Sequence, residues 1–201
     1  MKTKHQEQVL KEIVDVVNPI LDNWENYTEN ELEYLLKKLG NICRDETSLV
    51  RKEVLPTKKI AETLLKIGNE YDNNHKILTQ IVSSIHNMND RYSLEISDDW
   101  FKFFIHQTKN RKVNFYVSVF ITDLPQFASY EDKWKYIMSI PNIAPKDKSM
   151  HTFYQVINDN INIIPNELKT EIIKIFEKYI TEKKLHETTI ENYQEIIEKL
   201  K

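Results

Sequence analysis

Glycine occupies only two positions in the 201-residue chain, Gly40 and Gly68. Glycine enters left-handed backbone without steric cost, so a chain this poor in it has few tight αL turns and few β-bulges. It also has no glycine-rich loop with which to cradle a ligand. The rest of the composition is rich in Lys, Glu, Leu and Ile, and straight-chain residues of this kind are good helix formers. The expectation is an all-α fold of about ten short helices in antiparallel pairs. These stack as an α-solenoid (a superhelix) or close into a compact helical domain; no repeat of fixed period decides between the two.

Apolar spacing supports the helical reading along the chain. Val9, Leu10, Ile13, Val14, Val17, Ile20, Leu21 and Trp24 trace one helix face. Pro19 falls inside that pattern and is expected to kink or divide the helix. Thr28 and Glu31 fit a capping box, in which each side chain satisfies the other residue's backbone amide. Leu32, Leu35, Leu36 and Leu39 form the inner stripe that follows, with Gly40 placed to end the helix. Asp45 or Thr47 is expected to begin the next helix and Pro56 to open its successor, which Gly68 closes. Asp72 is expected to cap a helix carrying Ile77, Leu78, Ile81, Ile85 and Met88.

Residues 111–124 read two ways. Val113, Phe115, Val117, Val119 and Ile121 alternate like a strand, whereas Val113, Tyr116, Val117, Phe120, Ile121 and Leu124 fit a helix. A lone strand needs a partner and no second candidate exists, so a buried helix is expected. Later helix starts are expected at Ser129, at Asp147 or Ser149, at Pro165-Asn166, and at a second capping box, Thr188 to Glu191. The chain reads as one helical domain, 1–201, with candidate subdomains 1–90 and 91–201 and a candidate hinge at Pro141–Pro145.

The aromatic residues concentrate between Tyr92 and Tyr136. Rings dominate core energetics, so this stretch is expected to be the thickest part of the core. Ser97 is placed to cap a helix whose first turn carries Asp98 and Asp99, where carboxylates complement the helix dipole. Lys102, His106, Lys109, Arg111 and Lys112 follow. Any exposed ring among Trp100, Tyr130 and Trp134 would serve a partner surface, since interfaces favour aromatic side chains.

Bulk properties narrow the function classes. Net charge is −3 and the pI about 6.1, without the overall basic excess of a general nucleic-acid binder. The single cysteine, Cys43, forms no intramolecular disulfide, which fits a reducing compartment. The N-terminal sequence lacks a secretory apolar run, and no segment approaches the length of a membrane span. A cytoplasmic protein without a membrane partner is expected.

No catalytic motif emerges. H-E-x-x-H, Glu-x-x-His, a His-Asp pair, the Arg-to-His spacing of helical ribonucleases, the P-loop and G-x-G-x-x-G are all missing from the sequence. His75 and His86 are expected to be surface histidines, and Cys43 a partly buried structural thiol. No catalytic residue, cofactor or metal site is assigned. The acidic residues are more suggestive: Glu25, Glu29, Glu31 and Glu33 run without an intervening cation, and Asp45 and Glu46 follow the same helix. They serve either as a solvated helix start or as an acidic face that steers a basic partner.

The helices around Thr28–Gly40 and Asp72–Met88, read as antiparallel pairs, together with Glu29, Glu31 and Glu33, give the chain a resemblance to all-helical, HEAT-like bacterial immunity proteins. That resemblance implies a non-enzymatic protein that binds one cognate toxin tightly, a basic nuclease domain for example, and occludes its active site. The candidate partner-binding residues of the chain are Glu29, Glu31, Glu33, Asp45, Glu46, Asp98, Asp99, Trp100, Lys109, Arg111, Lys112, Tyr130 and Trp134. The alternative is a helical nucleic-acid-binding or -processing factor that uses the aromatic and basic residues 100–112 to stack on and neutralise its ligand.

Overall fold

The computed structural model describes residues 2–45 and 48–201. Among these the chain is all-α, 79% helical, with twelve α-helices, four short 310 segments and no strand. Glu46 and Thr47, named above as a contact residue and a helix start, lie outside the described residues. Backbone proximity divides the chain into two compact units, 1–124 and 125–201. The division falls after Leu124, so the helices that follow residue 90 belong to the first unit as far as Leu124.

The first unit contains α1 (Lys4–Asn23), α2 (Glu29–Arg44), α3 (Leu49–Val54), α4 (Lys58–Glu70), α5 (His75–Tyr92), α6 (Asp98–Gln107) and α7 (Asn114–Ser118). α1 runs through Pro19 as one helix and starts from a capping box, Thr3 with Gln6, that the apolar spacing did not reveal. α2 starts at the expected box: the Glu31 carboxylate accepts from the Thr28 amide at 2.9 Å and from its hydroxyl at 2.7 Å. Both bonds stabilise the ionised form, which holds the Glu31 carboxyl below its ordinary range.

Neither glycine ends a helix. Gly40 and Gly68 lie inside α2 and α4 and are buried. A Cβ on Gly40 would meet Gln80 Oε1 at 3.3 Å, and one on Gly68 would meet the Phe103 ring at 2.7 Å. Both glycines therefore permit close helix contact; neither supplies a left-handed turn. The positive-φ position among the described residues is Ser93, at φ 61°, which ends α5.

The central pairing is α2 on α5. Asn74, the N-cap of α5, bonds Glu29 at the start of α2, and Arg91 near the end of α5 donates to the Arg44 and Asp45 carbonyls at the end of α2. The two helices therefore run parallel, which corrects the antiparallel pairing expected for them. α3 and α4 return the chain to the start of α2 before α5 begins. α1 packs on both α2 and α4, and α5 on both α4 and α2, so the four close a ring. Of the two expected arrangements, the first unit takes the compact one, since a solenoid stacks units only on their sequence neighbours. Leu32, Leu36, Leu39, Leu64, Ile67, Ile77, Leu78, Ile81 and Ile85 fill the ring and are fully buried or nearly so.

Residues 111–124 form no strand. They fold as α7, a turn and a 310 segment, Ile121–Asp123, not as one continuous helix. Val113, Val117, Phe120, Ile121 and Leu124 are buried, while Tyr116 and Val119 are each 39% exposed.

The second unit contains α8 (Pro125–Ala128), α9 (Lys133–Ser139), α10 (Lys146–Asp159), α11 (Asn166–Glu182) and α12 (Glu187–Leu200). Phe176 stacks against Phe153 and Tyr193, with centroids 5.4 and 4.9 Å away. Several caps differ from expectation because a nearer partner claims the side chain. Asp147 accepts from the Tyr179 hydroxyl and pairs with Lys183 at 3.1 Å, so α10 begins from Pro145. Ser129 donates to the Gln126 carbonyl and does not cap α9. His186, not Thr188, caps α12 by accepting from the Thr188 amide.

Candidate functional site

Two sequence-distant groups of candidate residues meet at the turn between α4 and α5. Glu29 and Glu33 approach it from the first turns of α2. The Glu29 carboxylate accepts from Asn74 Nδ2 at 2.8 Å, and Glu33 pairs with Lys76 at 3.5 Å. The acidic run thus does have a cation, supplied from α5. From the opposite direction, the end of α6 and the loop behind it reach the same turn. Asp72 accepts from His106 Nε2 at 3.0 Å and from the Gln107 amide, and Lys112 Nζ lies 3.4 Å from His75 Nε2.

Asp72 therefore does not cap α5; its carboxylate is spent on α6, and Asn74 caps the helix through the amides of Lys76 and Ile77. Gln107, 1% exposed, fixes the carboxylate, and His106 stands at the surface. The result is an imidazole at the end of α6 oriented by a carboxylate on the α4–α5 turn.

An open cleft of about 480 Å³ lies beside this turn, lined by Glu29, Asn30, Glu33, Glu70, Tyr71 and the residues 73–76. Its lining is mostly polar and carries both signs of charge. A second cleft of about 410 Å³ lies between α4 and α6, with Asp99, Lys102 and His106 on its wall. Asp99 pairs with Lys102 at 3.6 Å, and Asp98 and Asp99 occupy the first turn of α6 behind the Ser97 cap. Tyr34 stands on the outer face of α2, 59% exposed, with Lys38 Nζ 4.5 Å from its ring centre.

The remaining candidates are placed elsewhere. Trp100 is 2% exposed and packs on Phe103 and Phe104, so it presents no ring to a partner; apolar neighbours on α6 enclose it. Asp45 sits at the far end of α2, roughly 20 Å along the axis from Glu29, and pairs with Arg51 at 3.2 Å. Lys109 and Arg111 are exposed. Tyr130 and Trp134 are half-buried and belong to the second unit, where Tyr130 lies against Phe127.

Cys43 is fully buried, and burial pushes its thiol up to about 12 against the pull of Arg44 and Arg51. A thiol held so far from ionisation is a poor nucleophile. His86 is not a free surface histidine: its ring stacks on Phe120 with centroids 4.7 Å apart, and burial lowers its proton affinity despite the opposing pull of Asp90. Among the described residues no group of three His, Cys, Asp or Glu side chains is arranged to hold a metal ion, and no helix is long and apolar enough to cross a membrane.

Sequence reasoning missed Tyr34, Glu70, Tyr71, Asp72 and Lys76 as members of a site; His106 fell inside the 100–112 stretch it had singled out, without its partner Asp72. Tyr34 had a usable signal, since the inner stripe of Leu32, Leu35, Leu36 and Leu39 leaves it facing outward. The Asp72–His106 bond had none, because it joins residues distant in sequence. No family model, curated protein or solved structure matches this chain.

Proposed function

We propose that this chain is a non-enzymatic protein-binding protein and, within that class, a bacterial immunity protein that neutralises a cognate toxin by covering its active site. The observation that carries the reading is the gathering of Glu29, Glu33 and Glu70 around one open cleft, with the exposed ring of Tyr34 directly after Glu33. Exposed tyrosines are enriched among residues that dominate binding energy. Carboxylates around the cleft steer a basic partner and reject an acidic one. A nuclease toxin, whose active face must attract nucleic acid, has the complementary charge.

The test is co-expression with the protein encoded beside this gene. The expected outcome is a stable one-to-one complex and relief of that protein's toxicity, with Tyr34→Ala weakening the complex about tenfold. No complex with any neighbouring gene product would sink the reading.

Nucleic-acid binding is the second reading, supported by the exposed Lys109, Arg111 and Lys112. Three of the four rings in 100–112, Trp100, Phe103 and Phe104, are buried, which leaves half-buried Phe101 as the ring there for stacking. Replacing the three cations by alanine should then weaken binding of a single-stranded oligonucleotide and flatten its salt dependence.

A further inference from the structure

Resting on the nucleic-acid reading, we propose that the turn after α6 is the contact surface for a single-stranded nucleic acid, with Lys109, Arg111 and Lys112 meeting its phosphates and the Tyr116 ring stacking on a base. All three cations are exposed, and none pairs with a carboxylate among the described residues. The polar neighbour of Lys112 is His75 Nε2, not an acid. Asp72, on the neighbouring α4–α5 turn, is taken up by His106 and Gln107. Local helix stability does not explain the cations. α6 ends at Gln107, and the effect of its dipole fades within the last turn, short of Arg111 and Lys112. Both instead precede α7, and a helix start disfavours positive charge.

The turn holds a defined shape. The Lys112 amide donates to Asn110 Oδ1 at 3.2 Å, and the Val113 and Asn114 amides donate to the Asn110 carbonyl at 2.9 and 2.8 Å. With the Val117 amide donating to Val113, the backbone winds helically from Asn110 into α7. Lys112 and Tyr116 stand four residues apart on this winding, a spacing that makes side chains neighbours. Tyr116 is 39% exposed, and the Phe115 ring meets it at 72° with centres 5.5 Å apart. A cation with an exposed ring one turn away suits a nucleotide, which offers a phosphate to the one and a base to the other. An acidic peptide would engage the cations but has no base to stack on Tyr116.

The probe is a fluorescently labelled decathymidylate, with an abasic strand of the same length as control, titrated with the full chain at low and moderate salt. Alanine at Lys109, Arg111 and Lys112 together should weaken binding of both strands at least about tenfold and flatten its salt dependence. Tyr116→Ala should weaken decathymidylate binding by about fivefold or more and leave the abasic strand unchanged. Tyr116→Phe, which keeps the ring, should bind as the native chain does. If the cation variant loses both strands while Tyr116→Ala still binds decathymidylate at native affinity, the stacking site falls and the nucleic-acid reading stands. If the native chain binds neither strand, or the cation variant binds both unchanged, that reading falls and the site with it. Displacement of decathymidylate by an oligoglutamate of equal charge would overturn the proposal in favour of an acidic protein partner.

Discussion

Single side chains carry two testable consequences. Gly68 and Gly40 are both helix-interior glycines, yet a methyl group has opposite prospects at each. At Gly68 it would enter the Phe103 ring, a rigid and 5% exposed neighbour, so Gly68→Ala should destabilise by about 1–3 kcal/mol in urea unfolding. At Gly40 it meets the mobile end of Gln80, and the gain in helix propensity of up to about 1 kcal/mol offsets the crowding. Equal losses at both sites would refute this account of the close contacts. His86 sets a pH dependence. Its folded proton affinity is depressed, so its stabilising contribution is present above the ordinary value of 6.5 and lost as pH falls below it. Urea midpoints should fall between pH 7.5 and 5.5, and His86→Phe, which can keep a stack on Phe120, should flatten that slope. An unchanged slope would mean that the imidazole is solvated. None of these environments was readable beforehand: the scarcity of glycine was plain in the sequence, but which side chain each glycine admits depends on helices joined only by the fold.

At the scale of elements, local signals were legible where both partners lie within a few residues. The Thr28 and Glu31 box and the Ser97 cap formed as expected, because their bonds span three residues. Thr28→Ala should cost about 0.5–2 kcal/mol by thermal or chemical unfolding, and no change would mean that the start of α2 is held by packing alone. Asp72, Asp147 and Thr188 failed as caps for a common reason. Each had suitable chemistry, but a partner outside the local sequence or a better-placed neighbour claimed the position. Ser93 shows the cost of a glycine-poor chain: it adopts αL geometry with a Cβ in place. Ser93→Gly should stabilise by about 1 kcal/mol, and a loss would mean that the Ser93 side chain makes a contact that outweighs the strain. Residues 111–124 mixed both periodicities because they are short helical pieces around turns, each burying one or two apolar residues.

The whole molecule explains why the candidate site was half visible. The all-α class followed from composition and periodicity. The acidic start of α2 and the basic residues after α6 were each noticed, but nothing in the sequence placed them beside one another. The parallel pairing of α2 with α5 brings Glu29 and Glu33 to the turn at 71–76, and Asp72 draws α6 to the same place. No sequence pattern encodes that meeting, since helix direction is set by how α3 and α4 return the chain. The central claim is that this meeting makes a protein-binding face. Its most direct test is the association rate with the protein encoded beside the gene, measured for the native chain and for the Glu29→Lys, Glu33→Lys double variant at low and high salt. Glu31 is left intact because it holds the cap of α2. Association should slow by at least about tenfold at low salt and lose most of its salt dependence. An unchanged rate at both salt concentrations would contradict the claim.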